Sequence, residues 1–149
     1  MLTSIFIIAV SLILFVYWFR YTCVIVLNTQ VKKDYASQIA RANQLRFLET
    51  RTALMSGPQP AALDTLQRSL DQDYRLLSYL LEHAAKFNVG DMGFEQVLLK
   101  ADFKLMSVWY SVVRRFSSNQ ASNALLEMTS IVAHLANAMG ERVATSSRA

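Results

Sequence analysis

The sequence predicts an all-α protein, a single N-terminal transmembrane helix followed by a small antiparallel helical bundle. Three observations carry that expectation. The first residues form one long uncharged apolar run. Only 4 Gly and 2 Pro punctuate 149 residues, too few turn-makers for a many-stranded sandwich or barrel. Downstream, apolar residues recur in steps of three and four, the period of a helix with one buried side. A hydrophobic fraction of 53% against 17% charged residues does not fit a disordered chain. The expected organisation is an anchor over 1–29, a bundle over 30–144 and a polar tail over 145–149.

From Leu2 to Phe19 the chain reads LTSIFIIAVSLILFVYWF, and after Arg20 the apolar character resumes from Tyr21 to Leu27. At ~1.5 Å per residue, Leu2 to Leu27 covers roughly 39 Å, against about 30 Å for a hydrocarbon core. A cleaved signal peptide needs a basic start, a shorter apolar core and small residues before the cut, and the run has none of these. Tyr17, Trp18 and Tyr21 bracket Arg20 as an interfacial aromatic belt does, with the guanidinium reaching headgroups over its apolar stem. No Lys or Arg precedes the run, whereas Lys32, Lys33, Arg41, Arg46 and Arg51 follow it. That asymmetry places the N-terminus outside and the bundle in the cytoplasm. Cys23, the only cysteine, is expected to be an inert thiol in apolar surroundings.

The first helix after the anchor is expected from about Gln30 to Ser56, ended by Gly57-Pro58. Its apolar positions fall in two rows, Tyr35, Ile39, Ala42, Leu45 and Ala36, Ala40, Phe47, Leu54, which do not merge into one stripe. A stalk beside a three-helix core is the alternative arrangement. The second helix starts near Pro60, which suits a first turn, and runs to Phe87 with a continuous stripe of Leu63, Leu66, Leu70, Tyr74, Leu77, Leu81 and Ala84. Asp91 is placed to cap the third, Met92 to Phe116, and Ser117-Ser118-Asn119 breaks the chain before a fourth, Gln120 to Val143. The fourth repeats Ala121, Leu125, Met128, Val132, Leu135 and Met139, with alanines between them that permit close helix contact.

The third helix carries apolar residues on two sides. One broad face holds Phe94, Val97, Leu98, Ala101, Leu105, Val108, Trp109, Val112 and Phe116; the other row is Leu99, Phe103, Met106, Tyr110 and Val113. A surface helix needs one stripe of about 100°. Either the helix is central, touching neighbours on both sides, or one row is exposed for a partner. The row Leu99, Phe103, Met106 and Tyr110 is the expected docking surface, while Asp91, Glu95 and Asp102 on the seam are expected to meet arginines.

The chemistry of known sites is missing from the spacing. Neither His83 nor His134 has a Glu three residues before it, as carboxylate-bridged metal pairs in bundles require. The two histidines lie about 23 and about 14 residues into parallel helices, more than ~10 Å apart in height, too far for one haem. Gly57, Gly90, Gly93 and Gly140 build no phosphate loop or nucleophile elbow. A net charge of +4 spread along the chain, without a dense basic run, does not suit nucleic acid. The expectation is a non-enzymatic membrane-tethered interaction or assembly subunit without a cofactor, whose partners are the lipid bilayer and a protein or a second copy. The rival is a small ligand-sensing bundle, with Tyr74, Tyr79, His134 and Asn137 as the polar groups that would converge on a cavity.

Overall fold

The computed structural model describes residues 1–28, 34–87 and 93–148 and is all-helical there, with no strand. The chain divides into two compact units, Met1–Gln30 and Val31–Ala149. The first unit is helix α1, Leu2–Asn28, long and apolar enough to cross a membrane. Tyr17, Trp18 and Tyr21 are exposed in its second half, and Thr22 Oγ1 donates to the Trp18 carbonyl at 3.0 Å. Lys32 and Lys33 lie outside the described residues.

In the second unit the stretch expected to form one helix forms two, α2 (Ala36–Ala42) and α3 (Phe47–Met55). The reason lies in its two apolar rows. Gln44 adopts a positive φ of 55°, and the Leu45 N–H closes on the Ala40 carbonyl at 2.9 Å. The break re-aims the chain so that Leu45 of the first row is buried together with Ala36, Ala40, Phe47 and Leu54 of the second, which one straight helix could not achieve, because Leu45 would lie about 180° from Ala36 on it. Helix α3 then stops where Gly57 takes a left-handed φ of 76°. A single 3-10 turn at Pro60–Ala62 leads into α4, Leu63–Phe87. Helix α5 spans Phe94–Val113 and α6 spans Ser118–Ser146, so α6 takes in the start of the stretch expected as a polar tail. The expected cap Asp91 lies outside the described residues; at the α6 start, Ser117 Oγ accepts from Gln120 N–H at 3.4 Å.

The central element is α6, not the third helix of the sequence reading. It packs against α2, α3, α4 and α5, and Ala121, Leu125, Met128, Ile131, Val132, Leu135 and Ala136 are fully enclosed. Small residues on several of its sides make this possible, since a backbone can approach only where no long side chain intervenes. Leu70, Leu77 and Leu81 of the α4 stripe are likewise fully buried; each such leucine contributes about 1.5–3 kcal/mol of transfer free energy. Arg142 near the end of α6 donates to the Leu81 carbonyl at 3.3 Å and to Gln96 Oε1 at 3.1 Å. These contacts gather the end of α4, the start of α5 and the end of α6, so α5 runs opposite to both neighbours.

Candidate functional site

The two faces of α5 are used in the reverse of the expected sense. Leu99, Phe103, Met106 and Tyr110, expected as an exposed docking row, are core residues, Phe103 retaining only 1% of its surface. Tyr74 of α4 stacks on Phe103, ring centroids 4.0 Å apart and planes within 4°, and the Tyr74 hydroxyl reaches the Lys100 carbonyl at 3.4 Å. The Tyr110 hydroxyl donates to Asp64 Oδ1 at 3.0 Å, and Arg114 pairs with the same carboxylate. Two buried tyrosines with polar tips need partners; α5 supplies the Lys100 carbonyl to Tyr74, and α4 supplies the Asp64 carboxylate to Tyr110. Hydrophobicity alone does not distinguish the two rows; these polar and aromatic matches choose the inner one.

The broad row is therefore mostly outside, although its Leu98 is buried and its Leu105 half-buried. Phe94, Val97, Val108, Trp109, Val112 and Phe116 are exposed, Val108 at 63% and Phe116 at 84%. With Ala101 and the half-buried Leu105 they follow steps of three, four and four along α5 and the turn after it, where Phe116 lies, a stripe about 120° wide at ~100° per residue. Lys104 and Arg115 are exposed along one edge of it. Lys100 lies beyond that edge and bridges to Glu82 of α4 at 2.9 Å. Asp102, on the other seam, is fully buried, while Glu95 is exposed at the helix start. Contiguous exposed apolar surface of this kind marks an interaction site in a folded protein.

At the end of α5 a surface depression of about 400 Å³ is lined by Asp64, Gln67, Tyr110, Ser111, Arg114 and Arg115. Burial pushes the Tyr110 hydroxyl up to about 12, helped by the hydrogen bond and charge of Asp64. It therefore keeps its proton at neutral pH and serves as a donor to Asp64 rather than as an acid or base. Among the described residues no group of three or more His, Cys, Asp or Glu is placed to hold a metal ion. The His83 and Tyr79 rings meet at 3.9 Å between centroids, tilted by 34°, with His83 Nδ1 2.9 Å from the Tyr79 carbonyl oxygen.

Sequence reasoning missed the roles of two residues that organise the short helices. Asn137 Oδ1 on α6 accepts from the Tyr35 and Ala36 N–H groups at 2.8 and 2.7 Å, and Asp34 Oδ1 also accepts from Ala36 N–H at 3.0 Å, so the first amides of α2 are satisfied. Asp73 Oδ2 on α4 accepts from Arg46 N–H at 2.8 Å, doing the same for α3. Burial raises the Asp73 carboxyl above its ordinary value, against the lowering effect of the Arg46 and Phe47 amides. Both lie in the runs Asp73-Tyr-Arg-Leu-Leu-Ser-Tyr and Ala136-Asn-Ala-Met-Gly-Glu, where a polar residue interrupts an apolar stripe; that interruption is the signal available in the sequence. Of the four groups expected to line a sensing cavity, Tyr74 and Asn137 thus spend their polar atoms on holding helices together. Compared with known protein families, curated proteins and solved structures, the chain matches none.

Proposed function

We propose that this chain is a membrane-tethered, non-enzymatic interaction subunit, an antiparallel helical bundle anchored by α1 and working by contact through the outer face of α5. The observation that carries the reading is that face, where Phe94, Val97, Val108, Trp109, Val112 and Phe116 are exposed together. Asn137, Asp73, Asp64 and Arg142 are engaged in capping and cross-bridging the helices, which supports a role in contact. The basic residues that follow α1 support a cytoplasmic bundle.

Labelling in native membranes tests the contact surface. In a Cys23→Ser background, Val108→Cys on the stripe should react with a water-soluble maleimide far more slowly than Gln72→Cys, which is exposed on α4. After denaturation the two should react alike. Equal rates in native membranes would show that nothing covers the face. The tether is checked separately, since the full chain should resist alkaline extraction and a chain lacking Met1 to Leu27 should not.

A further inference from the structure

We infer that the outer face of α5 lies on the anionic phospholipid surface of the bilayer in which α1 is anchored. The inference rests on the tethered reading above and adds what the face meets. A helix lying in a membrane interface buries an apolar stripe ~5–10 Å deep and keeps cations at its edge. The stripe has that make-up, with Phe94 and Phe116 at its ends, Trp109 between them and Lys104 and Arg115 along one edge. Their aliphatic stems can lie beside the apolar face while the charges reach phosphate. The stripe is a ridge, which acyl chains and headgroups can mould around without a matching groove.

Charge decides against a second copy of the chain. Two stripes packed antiparallel set like edges together, so Lys104 and Arg115 of one chain would face the same cations of the other. Packed parallel, the cationic edge meets an edge whose exposed carboxylate is Glu95, about 14 Å along the helix from Lys104 and about 30 Å from Arg115 at ~1.5 Å per residue. Anionic lipid complements the edge along its whole length. The tether also supplies the bilayer at high effective concentration, so a face too weak to bind vesicles from solution still docks.

The test uses the full chain carrying Trp18→Phe, which leaves Trp109 as its one tryptophan. It is reconstituted into vesicles of phosphatidylcholine alone or with phosphatidylglycerol, and co-flotation reports insertion. In anionic vesicles Trp109 emission should shift to the blue and be quenched by lipids brominated near the headgroup end of the acyl chain. Lys104→Gln and Arg115→Gln should each lower the docked-to-undocked ratio roughly fivefold, with far-UV circular dichroism unchanged because both side chains are exposed. A co-floating chain whose Trp109 stays water-like and iodide-accessible in anionic vesicles would overturn the docking and leave the tether standing. Equal quenching in neutral vesicles, or a blue shift that grows with protein density and ignores brominated lipid, would overturn it in favour of uncharged lipid or of a second copy. Failure to co-float would sink the tether and this inference together. Trp109 shielded in native membranes but wet in anionic vesicles would replace the lipid with a protein partner.

Discussion

Gly140→Ala is a sign test of how α2 is seated on α6. In an exposed helix interior the change should stabilise, because alanine is about 1 kcal/mol better than glycine there. Here a methyl at position 140 would overlap Tyr35 Cβ and come within 2.7 Å of Tyr35 Cγ. Neither atom is the free end of a flexible side chain, so the start of α2 must move. That movement strains the two hydrogen bonds from Tyr35 and Ala36 to Asn137 Oδ1, at about 1 kcal/mol each. Overpacking adds about 1–3 kcal/mol. Against the propensity gain of about 1 kcal/mol, the expected net is a loss of about 2–4 kcal/mol. Denaturant unfolding of the full chain in mild detergent, followed by far-UV circular dichroism, measures the sign. Hydrogen exchange localises the effect, with protection lost first at the amides of α2. Tyr35→Gly in the same background removes the offending Cβ and should recover part of the loss. A Gly140→Ala chain that is more stable by about 1 kcal/mol would refute the close approach of Tyr35 to α6.

Four further outcomes follow from the same contacts. Leu77→Asp and Leu135→Asp, both fully buried, should each unfold the domain, at a cost of several kcal/mol against a total stability of ~5–15 kcal/mol; normal thermal melts would show the stripes misassigned. Phe103→Asp should unfold it too, whereas Val108→Asp on the same helix should leave the melt nearly unchanged; matched melts would undo the assignment of inner and outer faces. Tyr110 binds its proton more tightly folded than unfolded, so its contribution is complete below 10.0 and lost as pH rises through about 12. Tyr110→Phe should flatten that alkaline limb in a pH series of melts. Asp73 has a raised folded pKa, so its proton-linked stabilisation is full below 3.8 and lost as pH rises through the folded value. Asp73→Asn should therefore remove this acid-side dependence while keeping an oxygen for Arg46 N–H, and Asp73→Ala should cost about 1–2 kcal/mol at neutral pH as a lost cap.

The sequence by itself determined the helical class, the apolar span and most of the punctuation, because these depend on local chemistry. Gly57 ends α3 through a left-handed φ, Pro60 opens the turn before α4, and Ser117 caps α6; each acts on its neighbours in the chain. The stripe of α4 was legible for the same reason, since a row at helical spacing with a polar opposite side has one face to bury; α6 showed its row, but not that its small residues admit four neighbouring helices. Tertiary structure decided the rest. The two apolar rows of the first stretch could be read, but only their burial against α4 and α6 shows why the chain breaks at Gln44. Asn137 and Asp73 cap helices more than twenty residues away in sequence, a pairing that no local pattern contains. On α5 the two faces are about equally apolar, so the wheel cannot say which turns inward. The ring of Tyr74 meeting Phe103 and the carboxylate of Asp64 meeting Tyr110 make that choice, because a buried hydroxyl must find an acceptor, and Val108, Trp109 and Val112 are left facing outward.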